Sequence, residues 1–136
     1  MQVLRLGRIS SIDYELGTAR VTYEDREGAV TTQLPFLASE YLMPAVGDAV
    51  VTAHFSATSA VILGRLYSDS NRPAESGAGL FRKELAADRG EAYIRYDADS
   101  QTLNVHGAGV DITAQDGRVT IDGDLAVTGT INGEEA

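Results

Sequence analysis

Short runs in which apolar and polar residues alternate recur along the whole chain, and Gly, Pro, Asp and Asn repeatedly break them. A period of two predicts β-strands that each turn one face toward a core. The first half holds five such runs. Residues 4–13, with Leu6, Ile9 and Ile12 as apolar positions, predict a long bent first strand in which Gly7 marks a bulge or bend. Gly17 closes a turn into the second run, 19–23, and 25–28 turn again into the third, 30–34. That run is expected to stop at Pro35, which has no N–H for a ladder. An irregular connection over 36–43 has room for one helical turn. Met43-Pro44-Ala45-Val46-Gly47-Asp48 then turns into the fourth run, 49–55, with Gly47 expected at positive φ, and a Ser-Ala-Thr-Ser turn leads to the fifth, 60–66. Five strands with an irregular connection between the third and fourth are the layout of an OB-like barrel.

Residues 68–79 have linker composition, so the chain divides into a barrel domain, 1–67, a transition, 68–91, and a C-terminal part, 92–136. Within the transition, 82–87 have helical propensity but are too few for a stable isolated helix. Residues 93–96 and 102–105 flank a polar turn and predict a hairpin. Four shorter runs follow, at 110–113, 119–121, 125–128 and 130–131, separated by Gly109, Asp116-Gly117, Asp122-Gly123, Gly129 and Asn132-Gly133. Gly117, Gly123 and Gly129 are the expected corner turns. Val110 and Ile112, Val119 and Ile121, and Leu125 and Val127 are pairs two apart, and with Ile131 they predict one apolar face directed to a common interior.

These C-terminal runs offer about two large apolar groups each, and a core of this size contributes no more than ~3 to 5 kcal/mol. Three identical chains wound about one axis satisfy the runs best, because each apolar face then packs on its counterparts and each open ladder edge finds a neighbour. The expected product is a short triangular β-helix, about five strands per face at ~4.8 Å, or roughly 25 Å of rod. An ordinary monomeric sheet packed on the first domain is the alternative. The expected fold class is therefore all-β: an N-terminal OB-like five-stranded barrel and a short C-terminal intertwined trimeric β-helix.

Charge narrows the function. Twenty acidic against 11 basic residues give a net charge of -9, which repels phosphate backbones and argues against nucleic acid as a partner. There is no cysteine to form a disulfide or thiolate site. The charged N-terminus and the lack of a long apolar stretch predict a soluble product made in the cytoplasm, which the resemblance described below implies is bacterial. Candidate chemistry is sparse. His54 lies in an apolar run and reads as a strand residue with a polar contact. His106 reads as a strand-end residue, although three copies on a three-fold axis would be able to hold an ion. Asp97 and Asp99 read as a polar turn rather than a calcium loop. Asp111, Asp116, Asp122 and Asp124 lie in short turns without the cleft that paired catalytic carboxylates need. Tyr14, Tyr23, Tyr41, Tyr67, Tyr93 and Tyr96 have no cationic groove beside them and read as packing and interface residues. No catalytic, cofactor-binding or metal-ligating residue is assigned, and the chain reads as a non-enzymatic structural protein.

The order of segments resembles the baseplate assembly protein V, or central tail-spike, family of contractile-tailed phages and related tailocins. The resemblance is carried by Gly7-Arg8-Ile9-Ser10-Ser11-Ile12-Asp13, Ala19-Arg20-Val21-Thr22-Tyr23, Leu34-Pro35, residues 43–51, Val61-Ile62-Leu63-Gly64-Arg65-Leu66 and the turn-strand run 122–131. It covers most of the chain, and all its motifs are structural. It implies a homotrimeric spike under the tail hub protein, with the barrel end toward the hub and the β-helix toward the host cell envelope. Family members that sharpen their own tip carry a His-x-His pair that binds iron on the axis. This chain has no such pair, and only Asn132 to Ala136 follow Ile131, so a separate tip protein of the PAAR type is the expected partner at the C-terminal end. The competing expectation is an OB-type glycan- or protein-binding module on a C-terminal trimerisation stalk.

Overall fold

The computed structural model describes residues 3–133. It is all-β, with antiparallel sheets, one short 3-10 turn at Glu24–Arg26 and no α-helix among the described residues. The chain divides into two compact units between Leu80 and Phe81.

In the first unit β1 (Leu4–Asp13), β2 (Thr18–Tyr23), β3 (Ala29–Val30), β4 (Leu34–Pro35), β5 (Ala49–His54) and β6 (Ala60–Arg65) form one sheet in the order β3-β2-β1-β5-β6, with β4 also on β2. β1 is long because it serves two partners. Its first half pairs with β5, from Leu4 opposite Ala53 to Arg8 opposite Ala49, and its second half pairs with β2. The register against β2 shifts between Ile9 and Ser11, so the bulge lies at Ser10 and not at Gly7. That extra residue puts Ile9 and Ile12 on the same face despite their spacing of three, and it leaves Leu6 outside.

Gly7 answers a different need. On the inner row of β1, a Cβ there would sit inside Val21 Cγ1 and 3.0 Å from both the Thr22 carbonyl oxygen and Tyr23 Cδ1. Gly47 is required by its backbone. The turn from Ala45 to Asp48 is closed by Asp48 N–H on the Ala45 carbonyl (3.1 Å) and by Ala45 N–H on Asp48 Oδ2 (2.9 Å). Gly47 holds its third position at φ 93°, where a side chain is strained although the space is open. Gly47 N–H donates to the Ile9 carbonyl (2.8 Å) and Ile9 N–H to the Asp48 carbonyl (3.0 Å), so this turn caps the bulged region of β1.

The expected third strand is two short ones. Thr31 Oγ1 accepts from Val21 N–H at 3.0 Å, and this side-chain bond takes the place of a ladder bond at the break between β3 and β4. Pro35 lies inside β4, opposite Thr18, rather than beyond the strand's end. The connection after it has no helical turn, and Tyr41 Oη–H ties it to the Tyr14 carbonyl at 2.9 Å. Phe36 then makes one parallel bridge to Ile62 of β6. That single bridge joins the chain just past β4, which lies off the strand order on β2, to β6 at its end, and among the described residues no ladder closes the sheet into the expected barrel. Ile9, Ala19, Val21, Tyr23, Leu34, Val50, Ala60 and Ile62 form the buried core, with Ile12 and Phe36 packed against it.

In the second unit β7 (Leu80–Glu84), β8 (Tyr93–Asp97) and β9 (Thr102–His106) form a three-stranded sheet in that order. The ambiguous stretch after the linker thus begins as a strand, whose N–H at Leu85 extends the pairing to the Ala92 carbonyl. The expected hairpin is present and in register, from Tyr93 opposite His106 to Asp97 opposite Thr102. Residues 107–133 contain no strand in the single chain.

The two glycines separate space from backbone. Gly7→Ala is expected to destabilise the first unit by about 1–3 kcal/mol through overpacking against Val21, and Gly47→Val by about 1 kcal/mol or more through φ alone. Urea unfolding checks both, and a Gly7→Ala midpoint equal to wild type overturns the close-approach account.

Candidate functional site

The inner face of the first unit ends in a polar cluster. Thr52 and His54, alternate residues of β5, are buried, and Tyr23 brings its hydroxyl between them, 2.7 Å from Thr52 Oγ1 and 2.8 Å from His54 Nε2. The Ser56 carbonyl, 3.1 Å from His54 Nδ1, can only accept, so in the neutral ring Nδ1 carries the proton and Nε2 accepts from Tyr23. Thr52 O–H then donates to the tyrosine oxygen, and every group in the chain is satisfied. Arg5 extends the cluster, its guanidinium carbon 5.4 Å from the Tyr23 ring centroid and its Nε buried without a hydrogen-bond partner. His54 is thus placed as a structural hydrogen-bonded residue of the core.

Outside this cluster a groove of about 580 Å³ runs along β1, lined by Leu4, Leu6, Ala49 and Leu66 with Arg5, Arg8, Glu24 and Asp25. Arg8 Nε lies 3.3 Å from Glu24 Oε1, so opposite charges balance there and no cationic track forms.

The three-stranded sheet has two unlike faces. On one, Arg82 stacks on Tyr93, with 3.8 Å from guanidinium carbon to ring centroid, and Tyr93 stacks on His106 at 4.9 Å between centroids. Beside this stack Arg82 makes two hydrogen bonds of 3.1 Å to the Glu84 carboxylate, and Arg95 donates to Asn104 Oδ1 at 2.9 Å. The Arg82 bonds are the main cause holding the Glu84 carboxyl below its ordinary value of 4.5, with help from Gly90 N–H and from the charges of Arg82 and Arg89, against partial burial. Tyr93 and His106 are therefore parts of one stack across three strands. The sequence signal for it is parity: Arg82, Tyr93, Arg95, Asn104 and His106 all fall on one side once the strands are paired. The other face carries Phe81, Lys83, Ile94, Tyr96, Leu103 and Val105; Phe81, Tyr96, Leu103 and Val105 are exposed on it, and Lys83 and Ile94 are half-buried.

Past His106, no large apolar side chain is buried in the single chain. Val110, Ile112, Val119, Ile121, Leu125, Val127 and Ile131 are all exposed, with Ile112 at 71% and Ile131 at 73%, and no ladder brings them together. Of the expected turn glycines, Gly47 and Gly123 have positive φ whereas Gly117 and Gly129 do not. Asp97 Oδ1 accepts from Asp99 N–H at 3.0 Å, a turn closure. Among the described residues no group of His, Asp and Glu is gathered to hold a metal, and no helix is long and apolar enough to cross a membrane. The chain exposes 10504 Å², whereas two separately compact units of these sizes would expose about 8,300 Å². No known protein-family model matches the chain, and no curated protein matches it.

Two outcomes follow from these networks. Tyr23→Phe deprives both His54 and Thr52 of a buried partner and is expected to cost about 1–3 kcal/mol, read by urea unfolding; a neutral effect would contradict the chain of bonds. Glu84 has a lowered folded pKa, so its stabilisation is present above the ordinary carboxylate range and is lost as pH falls through the lowered value. Hydrogen exchange at the Gly90 amide is expected to show that loss in wild type and not in Glu84→Gln.

Proposed function

We propose that the chain is a non-enzymatic structural spike that works as a homotrimer, an OB-like barrel followed by an intertwined β-helix, at the baseplate of a contractile phage tail or tail-like particle. The observation that carries this reading is the unsatisfied C-terminal unit. Seven large apolar residues from Val110 to Ile131, six of them in pairs two apart, stand on a backbone that makes no ladder and covers none of them. Such a segment becomes stable when identical segments supply both the missing strand edges and the missing apolar surface. The excess exposed surface, about 2,200 Å² per chain, is of the size that obligate assemblies bury.

The barrel part of the reading is supported by the strand order and by the parallel bridge from Phe36 to Ile62, which brings the chain past β4 against β6 in the sense that an OB-type closure requires. The turn at Ala45 to Asp48 and the close approach at Gly7 give the resembling motifs a structural role, in keeping with a family whose shared residues build a scaffold. On this reading the hub protein meets the N-terminal barrel end, where Leu4 and Leu6 are exposed. A PAAR-type tip protein covers Leu125, Val127 and Ile131 at the other end. The trimer, with three times -9 or -27 charges, stays soluble until sheath contraction drives it into the host cell envelope.

A second reading, the glycan- or protein-binding module on a trimerisation stalk, is favoured by the groove along β1. Saturable binding of a glycan that Leu6→Glu abolishes would support it over the spike.

The trimer is expected at three times 14.5 kDa, about 43.5 kDa, by light scattering at micromolar concentration. Ile121→Asp places three carboxylates in one apolar interior and is expected to prevent assembly. A wild-type mass that stays at 14.5 kDa would refute the reading.

A further inference from the structure

β1 changes partner partway along, and its first residues are left with a neighbour on one side only. Leu4 to Gly7 pair with β5, but the ladder to β2 begins at Arg8, opposite Thr22. Beyond Tyr23 the chain leaves the sheet as the 3-10 turn Glu24–Arg26, so the other edge of Leu4 to Gly7 borders the groove of about 580 Å³. We propose that this open edge is a strand-addition site for an extended segment of another protein, one that carries a carboxylate between two apolar residues. Such a seat lies wholly within the first unit of one chain, so it is independent of the trimer and of either reading of function.

Backbone direction decides which groups are on offer. The Val3 carbonyl accepts from His54 N–H, and Ile9 exchanges bonds with Gly47 and Asp48, so the odd-numbered residues of β1 turn their backbone groups to the β5 side. Leu4 and Leu6 therefore present N–H and C=O to the open edge. An antiparallel strand laid there exchanges backbone bonds with Leu4 and Leu6. Its middle residue then stands opposite Arg5 in a non-hydrogen-bonded pair, where side chains approach most closely.

Side chains decide the occupant. Leu4 and Leu6 are 60% and 66% exposed on the outer row, and they match apolar residues at the two flanking positions. Arg5 is on the inner row and reaches toward Tyr23, across the open edge. Its Nε is buried with no hydrogen-bond partner, and neither Glu24 nor Asp25, which also line the groove, forms an ion pair with it. A carboxylate on the added strand removes the cost of that unanswered cation. The chain's own β2 is ill-suited to fill the edge. In the register of Arg8 with Thr22, its continuation would put Asp25 opposite Arg5, but Glu24 against Leu6 and Arg26 against Leu4, two charges on the apolar row. The 3-10 turn avoids those contacts and leaves Arg5 without an acid.

The probe is a fluorescein-labelled peptide, Thr-Thr-Val-Asp-Val-Thr-Thr, titrated into the full-length protein. Saturation is expected below about 1 mM. Hydrogen exchange at the Leu4 and Leu6 amides is expected to slow at least about tenfold, while that at Arg5 and Gly7, already bonded to β5, stays unchanged. Replacing the peptide's Asp by Asn is expected to weaken binding at least about tenfold in wild type and less than about twofold in Arg5→Met. N-methylating either Val removes a bond to the edge and is expected to cost at least about tenfold, whereas N-methylating the Asp, whose N–H points away, costs less than about twofold. Urea unfolding checks that Arg5→Met is folded; if it is not, the N-methyl series on wild type decides alone. No saturable binding, equal binding of the Asp and Asn peptides to wild type, or equal loss from all three N-methyl peptides overturns the proposal. Protection of the Leu4 and Leu6 amides in the free protein that grows with protein concentration also overturns it, because the occupant is then a second copy. A monomeric wild type that binds the peptide refutes the trimer and leaves this site standing.

Discussion

A strand has two sides, and its apolar row must find cover from something other than the strand itself. In the first unit the cover is internal: Ile9, Val21, Val50 and Ile62, from four different strands, bury one another, and Leu34 and Phe36 are brought over them by a chain that leaves β2 and reaches β6. The second unit has no second layer of its own, and large apolar residues of β7 to β9 and of the 110–131 segment stay exposed. This difference in cover governs everything else about the molecule. It explains why one unit spends a glycine and a bulge on fine packing, whereas the other consists of short runs separated by small turns.

The polar groups of the two units serve those two situations. Within the first, Thr52 and His54 occupy positions on β5 that would otherwise be apolar, and they are tolerated because Tyr23 and the Ser56 carbonyl complete an unbroken series of donors and acceptors. Such a cluster specifies one register for β2 against β5 across β1. Within the second, the Arg82, Tyr93 and His106 stack reaches across three strands and fixes which side of the sheet is polar. Each cluster fixes a local geometry, the first between β2 and β5 and the second across β7 to β9.

Much of this was legible in the residues. Period-two runs placed β1, β2, β5, β6 and the β8–β9 hairpin within a residue or so, because each has a turn with a definite backbone requirement at its end. Gly47 was readable for that reason, since Asp48 and the strand after it leave only one place for a positive φ. What escaped were features set by contact across the sheet. The role of Gly7 depends on Val21, which lies in another strand, and the bulge at Ser10 depends on where β1 changes partner. The break in the third run depends on a threonine hydroxyl turning to Val21, and β7 stayed ambiguous because Arg82, Lys83 and Glu84 are good helix formers that only the pairing across the sheet turns into a strand. The parity of Arg82 with Tyr93, Arg95, Asn104 and His106 is visible only once the pairing is known.

On the proposed reading, the same lack of internal cover that leaves a single chain unfinished is what makes the assembly suited to load. Strands that take both their ladder partners and their apolar cover from neighbouring chains cannot leave one at a time, because removing one exposes the rows of the other two together. Resistance to dissociation then grows with the number of shared tiers and not with the strength of any one contact. A monomeric sheet with the same residues packed on its own core would yield strand by strand. A binding module needs a face kept free for its ligand, whereas on the proposed reading the exposed apolar residues of the second unit are taken up by copies of the chain. On that reading a body built from such segments has rigidity as its main property, which is what a puncturing spike requires.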